Sequence, residues 1–61
     1  MPNLTSKELM QLEDQLNGEA LLVTKFKNYV NQCTDPELKS VLQQIAQKHQ
    51  NHYATLMRHL Q

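Results

Sequence analysis

"CTDPEL", residues 33–38, is the stretch that decides the fold. Pro36 has no amide hydrogen and a fixed φ, so it suits the first position of a helix, where that hydrogen would lack a partner anyway. Asp35 before it is a good N-cap, and Glu37 places a negative charge where the helix dipole favours one. A helix therefore starts at Pro36. Upstream, between Thr5 and Gln32, there is no proline and one glycine, Gly18. Thr5 followed by Glu8 has capping-box spacing, in which hydroxyl and carboxylate each satisfy an orphan amide. These signals predict helices over 5–32 and 36–60, joined by a turn at 33–35, in a single domain over 1–61. Helices linked so briefly pack antiparallel, so the expected fold class is all-α, an antiparallel helical hairpin.

The apolar spacing extends that expectation. Leu9, Leu12, Leu16, position 19, Val23, Phe26, Val30 and Cys33 alternate steps of three and four, as do Leu38, Leu42, Ile45, positions 49 and 52, Leu56 and position 59. Leu22 and Tyr29 widen the first stripe; Val41, Tyr53 and Leu60 widen the second. Faces this broad suit a four-helix bundle better than a two-stranded coil. One hairpin has only two helices, and a chain of 61 residues buries only about 60% of its unfolded surface. The expected solution is a two-fold homodimer that completes a four-helix bundle. The alternative is a monomeric hairpin packed on another protein. Gly18, which costs about 1 kcal/mol relative to alanine inside a helix, marks a kink or the close approach of a neighbouring helix.

Three stripe positions are polar: Glu19, His49 and His52. Glu19 lies fifteen residues before Thr34 and His49 fifteen after it, so an antiparallel hairpin sets them at one level. His52 is one turn further along the same face. A carboxylate and two imidazoles are ligands for a transition metal such as zinc, iron, manganese or copper. A two-fold axis would gather two such sets, enough for one or two ions. Without metal, the same residues could form a hydrogen-bonded layer that holds the bundle in register, or a hydrated interior. Because imidazole gains charge near neutral pH, a buried pair also implies association that weakens in acid. His59 is about 10 Å beyond His52 along the axis, too far for the same ion, and reads as solvated.

Other functions are disfavoured. Six basic and six acidic residues give zero net charge, and without a basic run neither nucleic acid nor an anionic membrane surface is an expected partner. The longest apolar run, "ALLV" over 20–23, is far short of the ~20 residues of a membrane span. "MPNLTSKELM" lacks the pattern of a signal peptide. Cys33, the one cysteine, cannot form an internal disulfide and reads as a small buried apolar residue, with an interchain disulfide as the alternative. Tyr29 and Tyr53 read as core-edge packing, and the scattered lysines as solvated. There is no nucleophile–base pair, phosphate-binding glycine loop or HExxH motif, so no enzyme is expected.

Two resemblances add to this reading. An interior carboxylate on one helix, followed by paired ligands three apart on the next, resembles half of a ferritin-like bundle. That family carries Glu-x-x-His, whereas this chain has His49-Gln50-Asn51-His52, so only Glu19 and His52 correspond. Such a set is too poor in carboxylates for oxidase or ferroxidase chemistry at two irons. "NQCTDPELKSVLQQIAQKHQNHYATLMRHL" and "GEALLVTKFKNYV" resemble the spore coat protein F family, in which a cysteine, a D/N-P-E-L turn and an amphipathic helix follow one another. That resemblance implies a ferritin-like helical structural protein of endospore-forming bacteria, in the spore coat or the cytoplasm, with other coat proteins as partners.

Overall fold

The computed structural model describes residues 4–60. Residues 1–3 and 61, the ends of the expected domain, lie outside the described residues. Two helices, α1 (Ser6–Gln32) and α2 (Pro36–Arg58), form an antiparallel hairpin. Thr5 caps α1 with the expected reciprocal pair: its Oγ1 accepts from the Glu8 amide at 3.1 Å, and its own amide donates to Glu8 Oε1 at 3.1 Å. Asp35 caps α2, one carboxylate oxygen accepting from the amides of Glu37 at 2.9 Å and Leu38 at 3.2 Å. Between them Cys33 and Asp35 are extended, which swings the chain out of α1 and straight into α2. The Cys33 amide still donates to the Tyr29 carbonyl at 2.9 Å, closing the last turn of α1.

The second helix stops at Arg58, two residues before the expected end. No glycine or proline announces that stop. The amides of His59 and Leu60 bond three residues back, to Leu56 and Met57, at 3.1 and 3.0 Å. Such tightened turns satisfy the terminal carbonyls of a helix that runs out of packing. His59 Nδ1 lies 2.9 Å from the Thr55 carbonyl, which satisfies one more.

The hairpin measures 46 × 14 × 11 Å. These are the extents of the Cα trace, and its 14 Å width is that of two helices side by side at the usual spacing of about 8–10 Å. The molecule is therefore one layer of two helices, and anything projecting from either broad side meets water. Burial follows from that shape. Among the described residues, the buried apolar side chains are Leu16 and Ala46, at 8% and 6% exposure. Leu9, Leu12, Val23, Phe26, Val30, Leu42, Ile45 and Leu56 are only half-buried, while Tyr29, Leu38 and Val41 are exposed.

The two broad sides differ. Leu22, Phe26 and Tyr29 of α1 share one side with Leu38, Val41 and Ile45 of α2, by their helical spacing from Glu19 and His52, which meet there. The other side is a groove floored by Val30 and Ala46 and edged by Lys27, Asn31, Gln43, Gln47 and Gln50. The first side is lined by large apolar side chains; the second mixes Ala20, Val23 and Tyr53 with Thr24, Lys27 and Gln50. No helix among the described residues is long and apolar enough to cross a membrane.

Candidate functional site

Midway along the hairpin, α1 carries Glu19 and α2 carries His49 and His52. Thirty residues separate Glu19 from His49 in the chain, yet His49 Nδ1 lies 2.8 Å from Glu19 Oε2. A carboxylate only accepts, so the imidazole proton sits on Nδ1 in this pair. His52 Nδ1 lies 3.6 Å from the other carboxylate oxygen, Oε1. One carboxylate thus faces two imidazoles, and among the described residues this is the group whose donor atoms, all within 4.8 Å of one another, could close on one ion.

The three differ in burial. Glu19 is buried at 7% exposure. The His49 side chain is 22% exposed and that of His52 50%. The stripe places His52 on the inner face, but in a single layer that face is open, so His52 stands at its edge beside a cleft lined by Gln15, Glu19, Thr55 and Leu56. The hydrogen bond from His49 holds the Glu19 carboxyl below the usual carboxylate range. Burial opposes that shift, and the charges of His49 and His52 and the amide of Gln15 reinforce it. No buried side-chain nitrogen or oxygen lacks a partner among the described residues.

Two supports escaped the sequence reading. The Phe26 ring stacks on His49, centroids 6.0 Å apart and planes 15° from parallel, while His52 meets His49 edge-on at 5.7 Å and 85°. Phe26 therefore orients the imidazole that Glu19 holds. Gln15 and Phe26 lie four residues before and seven after Glu19, a spacing that could have flagged both. His59 is exposed and outside the group. Cys33 is half-buried at the turn, its thiol donating to the Asp35 carbonyl at 3.5 Å.

Residues 8–58 match the Coat F domain family. The chain is also similar to the uncharacterized protein YuzM of Bacillus subtilis (strain 168), 33% identical over 58 residues that cover 95% of this chain and 72% of that one. No solved structure matches it.

Proposed function

Since this chain belongs to the Coat F domain family, we propose that it is a non-enzymatic structural protein of the bacterial spore coat. It works as a homodimer in which two hairpins pair into a ferritin-like four-helix bundle, and it meets other coat proteins through the outer surface of that bundle.

The observation that carries this reading is the uncovered apolar side of the hairpin, where Tyr29, Leu38 and Val41 stand exposed. A layer one helix thick with an uncovered apolar side is half of a two-layer domain. A second copy supplies a matching face, since an isologous pairing sets the same patch against itself. It would cover Tyr29, Leu38 and Val41, now exposed. The groove edged by Lys27, Gln43 and Gln50 stays outermost.

Fractionation of purified spores tests the placement. Antibody against the chain should find it in the detergent-extractable coat fraction. Recovery solely from the mother-cell or vegetative cytosol would overturn the coat assignment.

A further inference from the structure

We propose that Glu19, His49 and His52 form a binding site for one divalent first-row transition ion of the zinc class, held by one carboxylate oxygen and one ring nitrogen from each imidazole. The site lies within one chain and does not rest on the pairing of hairpins or on a place in the coat.

The donor set fits such an ion. Imidazole and carboxylate together suit zinc and its neighbours, whereas calcium and magnesium favour all-oxygen cages. Ligand bonds of about 2.0–2.2 Å put tetrahedral donors about 3.4 Å apart. His52 Nδ1 and Glu19 Oε1 already stand 3.6 Å apart, and all three donors lie within 4.8 Å of one another. Closing on an ion asks only for side-chain rotation. Two of the ligands are anchored for it: Glu19 is buried in the α1–α2 seam, and His49 is stacked on Phe26. His52 is the least buried of the three, half exposed at a cleft that offers an entry path. Three protein ligands leave a coordination position for water or a further ligand, the pattern of an open rather than a closed zinc site.

A rival account is a hydrogen-bonded layer that only holds the helices in register. It needs Glu19 and His49, which pair at 2.8 Å, but gives little work to a half-exposed His52. That difference selects the variants.

Tag-free full-length chain, stripped of metal, is titrated with cobalt(II) followed by visible absorption, and with zinc followed by calorimetry. Wild type should develop the d–d bands of nitrogen- and oxygen-ligated cobalt, and zinc should raise its Tm by mass action. His52→Gln should melt like wild type without metal yet lose roughly tenfold or more in zinc affinity. Glu19→Gln should lose at least as much, while His59→Gln and Cys33→Ser retain wild-type binding. Absence of cobalt bands and of calorimetric binding overturns the site. So does wild-type affinity in His52→Gln, or loss of binding in His59→Gln or Cys33→Ser instead.

Discussion

Glu19 and His49, thirty residues apart in sequence, meet at 2.8 Å near the middle of the hairpin. The carboxylate is buried, and the imidazole that grips it is held in turn by the Phe26 ring. That contact links the register of α1 against α2 to the protonation of one side chain.

Acid should therefore loosen the hairpin through Glu19. Its carboxyl sits below its ordinary value because His49 hydrogen-bonds the charged form. A carboxyl with a lowered folded pKa contributes stability that is fully present above its unfolded value of 4.5 and is lost as pH falls through the folded value. Thermal melts by circular dichroism should show Tm falling as pH drops below that point. Glu19→Gln should show a shallower fall over the same range; an identical profile would refute the assignment.

Core truncation should be severe for so thin a molecule. Leu16 is one of the two buried apolar side chains among the described residues, and Leu16→Ala should cost about 2–4 kcal/mol. Val30, half-buried on α1 at the floor of the groove beside Ala46, should cost less, and Val30→Ala should lose about 1–2 kcal/mol. Urea denaturation reads both.

The caps give a smaller and cleaner effect. Asp35→Ala leaves the amides of Glu37 and Leu38 without their shared acceptor and should destabilise by about 1 kcal/mol. Asp35→Asn, which keeps an acceptor oxygen, should lose much less in the same urea measurement.

Gly18 should tolerate a methyl group. A Cβ built there meets no atom within 4 Å, so the hairpin itself does not require glycine. Gly18→Ala should raise helix stability by up to about 1 kcal/mol, read as a higher Tm. A lower Tm would mean that another helix backbone approaches at that point.

Much of this architecture was legible in the sequence because local signals agreed with one another. Thr5 with Glu8 and Asp35 with Pro36 mark two helix starts, and the step of three and four marks the stripe. Counting outward from Thr34 paired Glu19 with His49, since antiparallel helices share one rise per residue. Three things were not legible. Ala46 carries too little apolar surface to register in a stripe, yet its small size suits a close helix–helix approach. The stop at Arg58 lacks a glycine or proline because carbonyls bonded three residues on end that helix. The half exposure of His52 depends on the number of layers in the molecule, which periodicity along one helix does not contain.

The most direct test of the central claim, that the apolar side of the hairpin is covered by a second copy, is the mass of the full chain in solution. Light scattering coupled to size exclusion at micromolar concentration should give twice the 7.1 kDa chain mass. Val41→Glu, which puts a charge in the exposed apolar side, should shift the mass toward 7.1 kDa. A wild-type chain that is monomeric at that concentration while fully helical and cooperatively folded would contradict it.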